Sequence, residues 1–196
     1  MTELLLATRS AGKIREITAA LNLRWRSLDD FPSISEAIED GDTFLANATR
    51  KAVYYSNATG LPALADDSGL EVDALNGEPG VQSAYYAGHP RDDAANCRKL
   101  VQVLRDVPAA RRSARFRCVM VIASGERVLA ETNGAIEGII IDEPRGTNGF
   151  GYDPHFLVPS LGKTTAELPS VEKNKISHRG IALRAMCEKL ATLQLG

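Results

Sequence analysis

The sequence contains few cysteines and no long apolar run. Its three cysteines, Cys97, Cys118 and Cys187, are odd in number and widely spaced. This pattern excludes a disulfide framework and a cysteine-based metal site, and it favours a reducing compartment. The N-terminal apolar run, between Leu4 and Ala7, is too short for a signal peptide or a membrane span. We therefore expect a cytoplasmic protein.

An excess of charge of either sign is also missing. The 23 Lys and Arg residues stand against 25 Asp and Glu residues, a formal net charge of −2. A general nucleic-acid coat would normally show a basic excess, so that class of protein is disfavoured.

Hydrophobic residues make up 44% of the 196-residue chain and charged residues 24%, as in an ordinary globular protein. We interpret residues 1–196 as a single domain.

Apolar periodicity predicts strands that alternate with helices. Helices are predicted at 12–22, 43–58, about 92–106 and from near Ser177. Strands are predicted at 3–8, 62–66, 69–75, 114–124 and 127–141. The turn "SGER" suits a hairpin between the last two strands, and Thr43 is placed to cap the second helix. These elements indicate an α/β fold with a mixed β-sheet, which could open into two lobes.

Two adjacent carboxylates interrupt the apolar segment "LPALADDSGLEV". The flanking strands place Asp66 and Asp67 in a turn at the carboxyl end of a buried strand. Carboxylates there can bind Mg²⁺, which prefers hard oxygen ligands, or they can accept backbone N–H groups in an Asx-type turn. The residues alone do not choose between these interpretations. A second acidic cluster, "EAIEDGDTF", either completes a metal site or simply favours the start of the next helix.

Three further segments offer chemistry, each with a plainer alternative. The turn "ATRSAGK" can cradle a phosphate at a helix N-terminus, although it lacks the P-loop spacing, or it is an ordinary helix start. In "PRGTNGFGYDPHF", glycines surround an aromatic residue that can stack on a base or pack into the core. The cations of "EKNKISHRG" are suited to bind a phosphate or the acceptor edge of a base. The plainer alternative is that the serine of this segment caps a helix.

Taken in order, these five segments resemble the inosine/xanthosine triphosphate pyrophosphatase family. The resemblance runs through "LLLATRSAGKIREI", "GDTFLANATRKA", "LPALADDSGLEVDALNGEPGVQSAYYAG", "GTNGFGYDPHF" and "EKNKISHRGIAL", which cover nearly the whole chain. It implies a two-lobed α/β fold with an elongated mixed sheet flanked by helices, an active site in the cleft between the lobes, and a homodimer. No nucleic-acid or membrane partner is expected.

The activity that the resemblance implies is Mg²⁺-dependent hydrolysis of non-standard purine nucleoside triphosphates. The expected substrates are ITP, dITP and XTP, the expected products are the monophosphate and pyrophosphate, and Mn²⁺ is an expected substitute for Mg²⁺. Such an enzyme cleanses the nucleotide pool. Asp67 would be the base for the attacking water and would bind the metal together with Glu39.

The resemblance also implies which residues bind the substrate. The triphosphate would be held by Thr8, Arg9, Ser10, Ala11, Gly12, Lys13 and Lys51. The other expected substrate contacts are Ser68, Phe150, Gly151, Tyr152, Asp153, Lys173, His178 and Arg179. Among these, Phe150 would stack on the base, and Asp153, His178 and Arg179 would surround its edge.

Three positions depart from the family pattern, and two alternative functions stay open. Ser10, Tyr85 and Asn148 stand where asparagine, arginine and glycine are usual, and none of the three is an expected metal ligand or base reader. One alternative is a Maf-type pyrophosphatase acting on other nucleotides, and the other is a nucleotide-binding sensor without catalysis. The motifs "SHRG" and "GFGYDP" argue against the first, and intact Asp67 and Glu39 argue against the second.

Overall fold

The computed structural model describes residues 3–21 and 23–193. Its strands form a mixed β-sheet. The strands in these ranges are β1 (Leu4–Leu6), β2 (Trp25–Ser27), β3 (Ala63–Val72), β4 (Ser113–Ser124), β5 (Arg127–Ile140), β6 (Phe156–Val158) and β7 (Lys163–Thr164). Within the sheet they follow the order β2-β1-β3-β4-β5-β6-β7. β1 pairs in parallel with β2 and β3, whereas β6 pairs antiparallel with β5 and β7. The predicted α/β class with a mixed sheet is confirmed.

The described α-helices flank this sheet. They are α1 (Ala11–Ala20), α2 (Phe44–Thr59), α3 (Asp93–Leu104), α4 (Ser170–Ile176) and α5 (His178–Leu190). All but α4 correspond to predicted helices, and Asn22, the last residue of the first predicted helix, lies outside the described residues. The Thr43 side chain caps α2 as expected, because it accepts the Ala46 N–H at 3.1 Å. None of the described helices is both long enough and apolar enough to cross a membrane.

The segment around Asp66 and Asp67 differs from the prediction. Two strands were expected on either side of a turn, but β3 continues unbroken through both carboxylates. The interpretation as a turn, including an Asx-type turn, is therefore wrong. Aspartate predicts a turn because its side chain can bond nearby backbone groups, whereas here Asp66 binds Lys13 and Asp67 binds Asn47, both distant in sequence.

The chain forms two compact units. Unit 1 takes its described residues from Met1–Asp67, Cys118–Gly134 and His178–Gly196. Unit 2 comprises Ser68–Arg117 and Ala135–Ser177. Strands β3, β4 and β5 each contribute residues to both units.

The core of unit 1 joins the sheet to α1 and α5. Helix α1 buries Ile17, with Leu21 directly after the helix, and this four-residue spacing places both on one helix face. The other members of this core are Leu4, Leu6, Leu64, Cys118, Met120, Ile122, Ala130, Ala182, Leu183 and Met186. The apolar periodicity of the last predicted helix places Cys187 inward together with Leu183 and Met186, but the structure shows that Cys187 is exposed. This packing fixes the start of α1 and the start of α5 against the sheet.

The core of unit 2 is built around α3 and β6. Leu100 and Leu104 of α3 are fully buried, and Phe156 of β6 packs on Phe116 with ring centroids 4.5 Å apart. Tyr152, just before β6, belongs to the same cluster. The glycine-rich segment that precedes Tyr152 is therefore anchored at one end in this core.

The approach of β5 to α5 within unit 1 leaves room only for glycine at position 134. A Cβ atom there would lie 2.2 Å from the His178 carbonyl oxygen and 2.8 Å from the Ala182 nitrogen. Since backbone would have to move, we expect Gly134→Ala to lower the free energy of unfolding by about 1–3 kcal/mol. Denaturant unfolding measures this change.

The matched control for this variant is Asn133→Ala, at the exposed neighbouring position. It should change the free energy of unfolding by less than about 0.5 kcal/mol. Equal stability of the two variants would contradict the close approach of β5 to α5.

Candidate active site

The turn between β1 and α1 presents the N-terminus of a helix. Ser10 is the N-cap residue and makes no side-chain cap hydrogen bond, while its backbone N–H donates to Thr8 Oγ1 at 3.2 Å. The first backbone N–H groups of an α-helix have no partner within the helix and attract anions. Arg9 is exposed on the same turn and pairs with Asp29 at 3.1 Å. The turn can therefore bind a phosphate through backbone groups, with cations on either side.

Asp66 is the centre of a buried charged cluster in unit 1. It is 1% exposed, and its Oδ2 lies 3.0 Å from Lys13 Nζ and 3.4 Å from both Nε and Nη2 of Arg179. Burial alone would raise the pKa of Asp66, but the charges of Lys13 and Arg179 outweigh it and hold the pKa well below its usual range. Asp66 is therefore ionised at neutral pH.

Arg179 lies inside this cluster rather than at a surface. It is 1% exposed, and its Nη1 donates to Glu16 of α1. Burial would lower the pKa of Arg179, but Asp66 and Glu16 raise it further. The guanidinium thus connects α5 to β3 and α1.

Asp67 has different partners from Asp66, because adjacent strand residues project to opposite faces of a sheet. It is 7% exposed, and its Oδ2 accepts from Asn47 Nδ2 of α2 at 3.1 Å. Asn47 Oδ1 in turn accepts the Gly41 N–H at 2.8 Å, which fixes the orientation of the amide. Burial raises the pKa of Asp67, and the nearby charge of Glu39 adds to the rise. Asp67 is thus a better proton acceptor than an exposed aspartate.

Lys51 and Glu39 lie beside Asp67. Lys51, one turn after Asn47 on α2, donates to Glu39 Oε2 at 2.6 Å. Burial would lower the pKa of Lys51, but the charges of Glu39, Asp66 and Asp67 raise it, so the ammonium stays charged. Lys51 therefore places a positive charge beside Glu39 and Asp67. The negative charges of these two carboxylates alone would repel a phosphate.

The acidic residues of unit 1 do not by themselves form a metal-binding cluster. No three His, Cys, Asp or Glu side chains converge on one point anywhere in residues 3–21 and 23–193. Glu39 and Asp67 are nevertheless close enough for the charge of one to raise the pKa of the other. Mg²⁺ keeps several waters and is commonly bound through one or two carboxylates plus substrate phosphates. The donor set of Glu39 and Asp67 fits that requirement.

The loop before β6, in unit 2, carries Phe150 in a constrained backbone. Gly149 and Gly151, on either side, have φ angles of 77° and 59°, which L side chains rarely adopt. Asp153 is 2% exposed, and its Oδ2 accepts the Phe150 N–H at 2.9 Å. The half-buried Phe150 ring has Lys173 Nζ 5.1 Å from its centroid.

Asp153 and Lys173 form a buried ion pair beneath this loop. Lys173, on α4 and 4% exposed, lies 2.6 Å from Asp153 Oδ2, and Thr165 Oγ1 donates to Asp153 Oδ1 at 2.7 Å. Tyr152 is also buried, and its hydroxyl donates to the Ser83 carbonyl at 2.8 Å. Asp153 and Tyr152 therefore brace the loop from inside unit 2.

The expected site residues fall into two groups. Unit 1 holds Thr8, Arg9, Ser10, Ala11, Gly12, Lys13, Glu39, Lys51, Asp67, His178 and Arg179. Unit 2 holds Ser68, Phe150, Gly151, Tyr152, Asp153 and Lys173. His178 is buried at the start of α5, and Ser68 is half-buried on β3. The first group can bind polyphosphate and activate water, and the second presents an aromatic ring beside a cation.

Comparison with known proteins places the chain in a family. The model of the Ham1 family matches residues 4–189. The chain belongs to the Ham1 family. Its curated relatives include the dITP/XTP pyrophosphatase of Geobacter sulfurreducens, 51% identical over 97% of both chains, and that of Desulforamulus reducens, 48% identical over 98% of both. The family resemblance found in the sequence motifs is confirmed.

Solved Ham1 structures share the fold. A HAM1 protein from Coxiella burnetii is 42% identical, with a TM-score of 0.90 over 98% of this chain and 100% of that chain. The Staphylococcus aureus Ham1 protein is 37% identical, with a TM-score of 0.87 over 97% and 99% of the two chains. The strand order and helices described above are therefore those of Ham1 proteins.

Several polar residues that the sequence does not single out bind the expected site residues in the structure. The four-residue spacing of Asn47 and Lys51 on the second predicted helix indicates that both can point the same way, but it does not by itself give Asn47 a role. Glu16 and Thr165 carry no local signal, because their partners Arg179 and Asp153 are distant in sequence. Only the fold brings such pairs together.

The buried charge of Asp66 predicts a pH-dependent loss of stability in this Ham1 protein. Asp66→Asn removes the negative charge that Lys13 and Arg179 share, although Arg179 still binds Glu16, and we expect a loss of about 3–5 kcal/mol at pH 7. Because folding lowers the pKa of Asp66, its contribution is complete above the ordinary value of 3.8 and declines below it. Denaturant unfolding at pH 7 and pH 3 should show the gap between wild type and variant shrinking.

Asp29→Asn is the matched control for this variant. Asp29 pairs with Arg9 at the surface, its side chain is 81% exposed, and such pairs contribute little to stability. A loss for Asp66→Asn as small as that of Asp29→Asn would exclude a central role for the buried cluster.

Proposed function

We propose that this Ham1 protein hydrolyses dITP, XTP and ITP to the monophosphate and pyrophosphate, cleansing the nucleotide pool. The observation that carries the proposal is Asp67, a buried carboxylate of raised pKa beside the cations Lys13 and Lys51. The names of the relatives, dITP/XTP pyrophosphatases that match over almost the full length, support the same activity.

The residues of unit 1 are proposed to bind the triphosphate. The N-terminal N–H groups of α1 are preorganised donors for phosphate oxygens, and Thr8 and Ser10 add hydroxyl groups in the preceding turn. Lys13 and Lys51 supply two positive charges. These groups offset the negative charge that otherwise repels a nucleophile from a phosphoanhydride.

Asp67 is proposed to accept the proton of the attacking water. Its burial raises its pKa, so it binds a proton more strongly than an exposed aspartate does. Asn47 donates to Oδ2 and thereby holds the carboxylate in one orientation. Ser68, the next residue on the strand, is proposed to contact the substrate.

Glu39 and Asp67 are proposed to hold Mg²⁺, for which Mn²⁺ can substitute. A bound Mg²⁺ supplies charge neutralisation at the phosphate oxygens. Lys51, which donates to Glu39, holds that carboxylate in one orientation. The chain itself thus provides two carboxylate ligands and leaves the remaining positions to phosphate oxygens and water.

The loop of unit 2 is proposed to bind the purine. Phe150 stacks on the base, Lys173 beside the ring contacts the nucleotide, and Gly151 brings backbone close to it. Tyr152 and Asp153, both buried, act by holding the loop. His178 is retained as a contact to the base edge. Arg179, bound to Asp66 and Glu16, is proposed to support the cluster instead.

The cellular setting is proposed on separate grounds. All three cysteines are unpaired thiols, which supports action in the cytoplasm. A homodimer is proposed from the motif resemblance alone.

Pyrophosphate release from a panel of nucleoside triphosphates tests the proposed activity. The panel contains ITP, dITP, XTP, ATP, GTP and the pyrimidine triphosphates, each with and without Mg²⁺. We expect the highest kcat/KM for ITP, dITP and XTP. A preference for other nucleotides would favour the Maf-type alternative, and binding of ITP without turnover would favour the sensor.

Asp67→Asn should retain the fold and lose most turnover. The change removes the proton acceptor and a ligand charge, and loss of a general base typically lowers kcat by about 10²–10⁴-fold. Steady-state kinetics with ITP measures this, and circular dichroism verifies the fold. In the wild type, kcat/KM should decline at acidic pH as Asp67 is protonated, at a higher pH than for an ordinary aspartate.

Asp42→Asn is the matched control, because Asp42 is an exposed carboxylate in the loop before α2. It should leave kcat within about twofold, the range of a neutral surface change. Similar kcat values for the Asp67→Asn and Asp42→Asn enzymes would remove Asp67 from the mechanism.

Glu39 and its neighbour Asp40 form a matched pair for the metal. Each carboxylate binds a cation of α2, Glu39 through Lys51 and Asp40 through Arg50. We expect Glu39→Gln to raise the Mg²⁺ concentration for half-maximal activity by about tenfold or more, because a ligand charge is lost. Asp40→Asn should leave that concentration unchanged. The opposite pattern in a Mg²⁺ titration would make Asp40 the ligand.

A further inference from the structure

Phe150 has both of its flanking peptide groups bound to carboxylates. Its own N–H donates to Asp153 Oδ2 at 2.9 Å, and the N–H of Gly151, in the peptide that follows, donates to Asp93 Oδ2 at 3.0 Å. Glycine is the residue with the greatest backbone freedom, and Phe150 lies between Gly149 and Gly151. These two hydrogen bonds restrict the backbone on both sides of the ring.

Asp93 is itself held in place by Arg91. The guanidinium binds both carboxylate oxygens, with Nε 2.8 Å from Oδ1 and Nη2 3.2 Å from Oδ2. Such two-point pairing fixes the plane of a carboxylate as well as its position. The hydrogen bond to Asp93 is also the main reason that the pKa of Arg91 is raised.

Helix α3 also binds the carbonyl oxygen of Gly151. Cys97 lies one turn after Asp93, and its Sγ donates to the Gly151 carbonyl oxygen at 3.4 Å. Burial raises the pKa of Cys97 to about 11, so the group is a thiol that can donate. Both polar groups of Gly151 are therefore bound by the first turns of α3, a helix anchored in the core by Leu100.

We propose that Asp93, aligned by Arg91, is a positioning residue for the purine base, because it fixes the peptide after Phe150 and thereby the ring. The role rests on the proposed function, in which Phe150 stacks on the base. A ring that is already oriented binds its partner without an ordering penalty. Asp93 therefore affects binding of the nucleotide rather than the chemical step.

The adjacent carboxylate provides a matched control. Asp92 is the N-cap of α3 and accepts the Ala95 N–H at 2.9 Å, so it stabilises the same helix through a different bond. Asp93→Ala should raise the KM for ITP about tenfold while kcat stays within about threefold, since a hydrogen bond to a charged group is lost. Asp92→Ala should lower Tm and leave KM unchanged.

Three further variants separate positioning from a general loss of structure. Asp93→Asn keeps an oxygen acceptor for the Gly151 N–H, so it should recover most of the KM effect. Arg91→Ala should raise KM less than Asp93→Ala does. The double variant Arg91→Ala/Asp93→Ala should be no worse than Asp93→Ala alone, because Arg91 acts through Asp93.

Amide hydrogen exchange gives a readout that does not depend on activity. The Gly151 amide should exchange about tenfold faster in Asp93→Ala and at the wild-type rate in Asp92→Ala. An unchanged KM for Asp93→Ala in an active enzyme, or equal KM increases in both alanine variants, would overturn the positioning role. Absence of turnover in the wild type would instead overturn the proposed function, and the base-positioning role with it.

Discussion

The structure of unit 1 depends on one buried charge, that of Asp66 in the middle of β3. A carboxylate away from water is unfavourable unless cations and hydrogen bonds compensate for the lost hydration. Lys13 comes from α1 and Arg179 from α5, and Arg179 also binds Glu16 of α1. The need to neutralise Asp66 thus fixes the starts of two helices against the sheet, including the helix N-terminus proposed to bind phosphate.

Asp67, one residue further, is placed for chemistry by the same strand. Adjacent strand positions project to opposite faces, and the two carboxylates acquire opposite properties: the pKa of Asp66 is lowered by its cations, and that of Asp67 is raised by burial. Where the surroundings of two neighbouring titratable groups drive their pKa values apart, the two groups often have different chemical roles. Here one carboxylate supports the structure, and the other is available to bind a proton or a metal.

In unit 2, backbone hydrogen bonds to two carboxylates hold the glycine-rich loop. Phe150 is oriented by hydrogen bonds from two peptide groups to Asp153 and Asp93. Asp153 also binds Lys173 and Thr165, so the loop is connected to the elements that follow β6. A loop held in this way combines the sharp turns that glycine permits with the rigidity that base stacking requires.

The sequence by itself determined the fold class, four of the five described α-helices and the segments that carry polar chemistry, because periodicity and glycine-rich motifs are local signals. Only the tertiary structure decided that the segment around Asp66 is one continuous strand. Adjacent carboxylates are typical of turns, and the cations that neutralise Asp66 within the strand are distant in sequence. It also decided that Arg179 is enclosed by Asp66 and Glu16. Asp93 carries no local signal for its bond to Gly151, because contacts between residues distant in sequence exist only once the chain has folded.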